Sequence, residues 1–109
     1  MKSKYAASVA HHNFLMRYLK NKKTAVDYLN TSLKESDENA FLLALHHVAQ
    51  AQGGISKVAR NAKIHRVSLH RILSNKGNPR LCNLTNILNA LGLKLTVTKE
   101  TKSKFARAA

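Results

Sequence analysis

Apolar residues recur along this chain mostly at helical spacing. Phe14, Leu15, Tyr18 and Leu19 predict a first short amphipathic helix, and Ala25, Val26, Leu29 and Leu33, following Asn21, predict a second. Asp37 is a good N-cap for a third and longer helix, whose apolar stripe of Phe41, Leu42, Leu45, Val48 and Ala49 runs out at Gly53-Gly54. Two short helical stretches follow, Ser56 to Ala62 and Arg66 to Ser74, and then Lys76-Gly77-Asn78-Pro79, a turn that no helix crosses. A last helix spans Cys82 to Leu91, with Gly92 as its left-handed terminator. Beyond it the period changes. Leu93, Leu95 and Val97 alternate with Lys94, Thr96 and Thr98, as a half-buried strand does. No other segment carries a strand signal, so this strand is expected to pair with its copy in a homodimer, an isologous contact.

The predicted fold class is therefore mainly α, a bundle of five to six helices with a short C-terminal β-strand. A chain of 109 residues suits one domain with one modest core. We divide it into N-terminal helices (1–52), the two short helices with the one after them (53–92), the strand (93–98) and a basic tail (99–109) expected to be disordered.

The two short helices have the pattern of a helix-turn-helix over Ile55 to Ile72. That motif crosses two helices of about two turns each through a tight turn, and it requires apolar residues where they face each other or the body. Val58, Ala62, Ile64, Leu69 and Ile72 supply that set, and Ala59 is the small residue that allows close approach. Lys63 stands at the turn position where glycine is usual because the backbone there takes positive φ. At about 100° per residue, Leu69, Ile72 and Leu73 share one side of the second helix, with Val67, His70, Arg71 and Ser74 opposite.

On this reading the outer face enters the DNA major groove. Arg66, in the first turn, and Arg71 are the candidates for bidentate contact with guanine; Val67 suits a thymine methyl, and His70 a base or a phosphate. Ser56 and Lys57 at the first helix's N-terminus, with Ser74, Lys76 and Arg80 around the following turn, are the candidates for phosphate contact. A homodimer would set two such helices about one DNA turn, 34 to 36 Å, apart on an inverted-repeat operator.

Charge points the same way. Nineteen Lys and Arg face five acids, a formal net charge of +14 that calls for a polyanion. No apolar run approaches the roughly 20 residues that span a bilayer, and the N-terminal sequence, broken by His11, His12 and Asn13, does not resemble a secretory signal, so a cytoplasmic location and no membrane partner are expected. Cys82 is alone, which excludes an internal disulfide, and its place in an apolar helical pattern predicts a core residue. His11-His12 and His46-His47 are adjacent pairs, which on a helix diverge by about 100° and do not chelate as i,i+4 pairs do; no metal and no other cofactor is expected. With no convincing carboxylate pair and no phosphate loop after a strand, the chain does not read as an enzyme.

Several short matches then coincide: Tyr28-Leu29-Asn30, Ala44-Leu45, Val48-Ala49, Gly53-Gly54, Val58-Ala59-Arg60, Ser68-Leu69, Leu73-Ser74, Gly77-Asn78-Pro79 and Ala90-Leu91-Gly92-Leu93. With them, from about Phe14 to Val97, the chain resembles the addiction-module antidote proteins, HigA-like antitoxins with a lambda-repressor-like helix-turn-helix. The resemblance implies binding and neutralisation of a small toxin of the RelE/ParE/HigB-like class, and repression of the operon encoding both. Arg66 matches the arginine common at the start of that family's recognition helix, whereas Lys63 replaces its usual turn glycine and His70 stands where an aromatic is frequent. With the other face committed to DNA, the N-terminal helices around Tyr18, Tyr28 and Phe41 are the candidate toxin surface. A stand-alone helix-turn-helix regulator, without a toxin, is the competing reading.

Overall fold

The computed structural model describes residues 2–35, 37–74 and 77–100. Six helices follow in order: α1 Lys2–Leu19, α2 Lys22–Leu33, α3 Glu38–Ala51, α4 Ile55–Ala62, α5 Arg66–Ile72 and α6 Leu81–Ala90. The predicted tail from residue 101 onward lies outside the described residues, as does Lys76.

Local chemistry sets the helix ends. Asn21 caps α2, its side-chain oxygen accepting from the N–H groups of Lys23 and Thr24, and Asp37 caps α3 by accepting from Asn39. Gly92, at φ +77°, follows α6 in the left-handed region that suits glycine, and the Leu93 N–H returns to the Leu88 carbonyl. Gly77 is required for a different reason. A Cβ there would lie 1.9 Å from the Ile72 carbonyl oxygen, so the chain leaving α5 passes too close to that helix for any side chain.

α3 is the spine. It packs against α1, α2 and α4, and α4 in turn packs against α5 and α6. The core draws Leu19 from α1, Ala25 and Leu29 from α2, and Ala44, Leu45, Val48 and Ala49 from α3. Val58, Ala59 and Ala62 from α4, then Leu69, Leu73, Ile87, Leu88 and Leu91, complete it. Gln52, just after α3, ties that helix to the end of α1 with polar bonds, its amide donating to the carbonyls of Leu19 (2.7 Å) and Lys20 (2.9 Å).

Three expectations need correction. α1 is 18 residues long and starts well before Phe14, because Lys2 to Val9 is compatible with a helix yet carries no apolar stripe to announce one. Val26 and Leu33 share a side of α2, but only Ala25 and Leu29 are buried; Val26 and Leu33 stay exposed. Cys82 is exposed, not core. α6 packs through Leu84, Ile87, Leu88 and Leu91, and Cys82 sits about 160° around the helix from Leu84. Residues 93–100, where a strand pairing with a second copy was expected, form neither helix nor strand within the single chain. A β-ladder needs a neighbour, and among the described residues no second extended segment offers one.

Candidate nucleic-acid interface

The turn from α4 to α5 is three residues, Lys63, Ile64 and His65. Lys63 adopts φ +59°, ψ +40°, the left-handed conformation that its place in the turn predicted for a glycine-like residue. Its N–H reaches back to the Ala59 and Arg60 carbonyls, closing α4. His65 then caps α5 through Nδ1, which accepts from the Val67 N–H at 3.4 Å. Sequence inspection missed this cap, since histidine is not a usual capping residue.

Seven residues are too few for an isolated helix, so α5 holds its shape through packing. Leu69 is fully buried, Leu73 nearly so, and Ile72 and Ile64 lean on the same core. That contact fixes the rotation of α5 and leaves the opposite face outward. Arg66, Val67, His70 and Arg71 are all exposed, Val67 at 60 % of its surface. Ser56 and Lys57 are exposed in the first turn of α4, where Gly54 provides no side-chain cap and the leading N–H groups keep their donor capacity. Arg80 is exposed just ahead of α6, and Ser74 is half-buried, its hydroxyl donating to the Arg71 carbonyl at 2.7 Å. Of the residues expected on the outer surface, Lys76 falls outside the described ones. Leu93, Leu95 and Val97 lie on the segment that follows α6.

Charge is segregated along the chain. Asp27 lies in α2, Glu35 in the loop after it, and Asp37 and Glu38 at the start of α3, and from Asn39 to Lys99 there is no carboxylate side chain at all. α4, α5 and α6 are thus built entirely from neutral and basic residues. Nothing on this stretch offsets Lys57, Arg60, Lys63, Arg66 and Arg71, which leaves a face suited to a polyanion.

One neighbour of this face was not evident from sequence. His46 on α3 meets His70 edge-on, ring centroids 6.3 Å apart, and also stacks with His47 at 6.4 Å. His47 Nδ1 lies 2.9 Å from the Tyr28 hydroxyl, so a row of rings runs from α2 through α3 to the outer face of α5. Burial holds His46 below the usual histidine value, and the charge of His70 adds to this. His47 is lowered by burial first, then by His46, His12 and His11, while burial raises Tyr28. The His46-His47 pair therefore contributes to packing between helices, whereas His11 and His12 are exposed on α1. Among the described residues, no group of three or more His, Cys, Asp or Glu is placed to hold a metal ion, and no helix is long and apolar enough to cross a membrane.

The surface expected to receive a protein partner is divided. Tyr28 and Phe41 pack against the core, whereas Tyr18 is exposed and stacks on the exposed Phe14 at 6.0 Å. An i,i+4 aromatic pair on the outside of α1 is thus left exposed among the described residues.

No solved structure matches this chain. It is 37% identical over 79 residues to an uncharacterized protein of Haemophilus influenzae, an alignment covering 72% of this chain and 77% of that one. The family model described as "probable addiction module antidote protein" matches residues 10–99, from the middle of α1 to the end of the segment after α6, and the chain belongs to that family.

Proposed function

We propose that this protein is a DNA-binding antitoxin: it holds a small toxin, of the RelE/ParE/HigB-like class, in an inactive complex and represses the operon that encodes both. The observation that carries the DNA half is the outer face of α5, where Arg66, Val67, His70 and Arg71 stand exposed on a helix locked from behind by Leu69, within a stretch free of carboxylates. Arg66 and Arg71 read guanine edges, and Val67 meets a thymine methyl. His70 makes a directed contact whose ring plane is set by His46. Ser56, Lys57, Ser74, Lys76 and Arg80 hold phosphates and fix the register. The α4–turn–α5 unit acts in this reading as a helix-turn-helix of the lambda-repressor type, and two copies joined through Leu93, Leu95 and Val97 bind an inverted repeat.

The toxin half rests on membership of the antidote family, which implies a partner toxin. Because Tyr28 and Phe41 are engaged by the fold, we place the toxin on the exposed Phe14–Tyr18 face of α1. Action in the cytoplasm, without enzymatic activity, follows from this role.

The test is co-expression of a tagged copy with the small open reading frame beside its gene, then titration of the purified material onto the operon's promoter at physiological salt. A stable two-protein complex and selective binding to an inverted repeat are expected. Selective DNA binding with no retained partner would leave a stand-alone regulator, and no selective binding would overturn the DNA reading.

A further inference from the structure

The C-terminal segment leaves the body gradually. Leu93 packs against the core, Leu95 is 41 % exposed, and Val97 is 99 % exposed, an apolar side chain that none of the described residues covers. Beside the segment runs a cleft of about 290 Å³ lined by Val26, Leu33 and Phe41 on one side and Leu93 and Leu95 on the other. Leu33, on the α2 wall, is 53 % exposed. Val97 thus follows, two residues on, the Leu95 that lines a largely apolar cleft.

We propose that a second copy of this chain fills the cleft, its Val97 seated beside Leu93 by an antiparallel pairing of the two C-terminal segments centred on Leu95. This deepens the two-copy reading above, on which it rests, by assigning the register and the receiving surface. The register follows from side-chain alternation. Residues directly opposite in an antiparallel pair point to the same face, so the two-fold axis must pass through a residue, not between two, if the apolar sets are to share a face. Centring on Lys94 sets two lysines against each other, which is destabilising, and centring on Thr96 sets Leu93 against Lys99. Centring on Leu95 alone pairs apolar with apolar throughout: Leu95 with its copy, and Leu93 with Val97 in both directions, while each Lys94 faces a threonine. Each Val97, uncovered by the described residues of its own chain, then lies against the partner's cleft. The pairing also satisfies backbone N–H and C=O groups that a lone extended segment leaves to water.

Cysteine cross-linking with sedimentation of the full chain tests the proposal. Because Cys82 is exposed, Cys82→Ser is the background. Opposite residues in an antiparallel pair have Cα atoms about 4.5–5.5 Å apart, within the span of a disulfide. Leu95→Cys chains should link to themselves under mild oxidation. Leu93→Cys and Val97→Cys chains should each link poorly alone and efficiently when mixed. The parent should sediment at twice its 12.1 kDa mass. Val97→Asp, at a position that none of the described residues covers, should weaken association by roughly tenfold or more without loss of helicity.

A monomeric parent, or equal cross-linking at all three positions, would overturn the proposal. So would a dimer unaffected by Val97→Asp. A dimer with this register that fails to select DNA would instead count against the DNA reading, leaving the inference standing.

Discussion

The α4–α5 pair and the segment after α6 are both short, apolar on one side and polar on the other, yet the chain treats them differently. Around α4 and α5 every inward apolar residue finds a partner: Val58, Ala59, Ala62, Leu69 and Leu73 are buried, and what faces outward is basic or available for contact. In residues 93–97 the same alternation is left open, ending in a bare Val97. A helix satisfies its own backbone and needs neighbours for one stripe alone, so two short helices can close against α3 and α6 within one chain. An extended segment needs a neighbour for its backbone as well. The first region closes within a single chain and presents a surface; the second leaves its apolar alternation open among the described residues.

The contrast can be broken most forcefully at Leu69. Leu69→Ala removes the fully buried contact that sets the rotation of α5, and thermal or denaturant unfolding should show a loss of about 2–5 kcal/mol. A smaller effect is expected at the turn. Lys63 holds φ +59°, so Lys63→Gly should relieve a left-handed strain of about 1–2 kcal/mol, partly offset by about 0.4–1 kcal/mol of added unfolded-state freedom, and raise the melting temperature slightly. Loss of stability on this substitution would mean that the Lys63 side chain contributes to the turn.

Acid should act through α3. His46 and His47 resist protonation in the fold, chiefly because they are partly buried, while the unfolded chain takes up protons as pH falls below about 6.5. Their contribution is therefore fully present above that value and declines as pH drops below it. His46→Gln and His47→Gln should each flatten the fall in melting temperature between pH 7.5 and 5.5. The smallest effect is predicted at Val97. Val97→Ala, measured at concentrations low enough to keep the chain single, should change unfolding by less than about 0.5 kcal/mol, since none of the described residues covers the side chain.

The two regions also differ in how far they were legible. α2 to α6 follow from a 3.6-residue period, from caps such as Asn21 and Asp37, and from glycine terminators, all local signals. The outer face of α5 was readable because burial of Leu69 and Leu73 fixes what lies opposite. The length of α1 was not, since its first half has no apolar stripe. Cys82 misled because composition favours burial of free cysteine, whereas the packing face of α6 is set by Leu84, Ile87 and Leu88. The bonds from Gln52 to Leu19 and Lys20, and the contact of His46 with His70, join residues far apart in sequence and leave no local trace. The strand signal in 93–98 rests on side-chain alternation alone, and among the described residues no second extended segment pairs with it.

The central claim is that the outer face of α5 reads DNA while the start of α4 positions it. The most direct measurement compares Arg66→Ala and Lys57→Ala by titration against the operon's promoter duplex and a scrambled duplex, over a range of salt. The account predicts that Arg66→Ala loses about 1–3 kcal/mol on the promoter and little on the scrambled duplex, and that Lys57→Ala weakens both alike and lowers the salt slope by about one. Uniform weakening by both substitutions, or none by either, would contradict it.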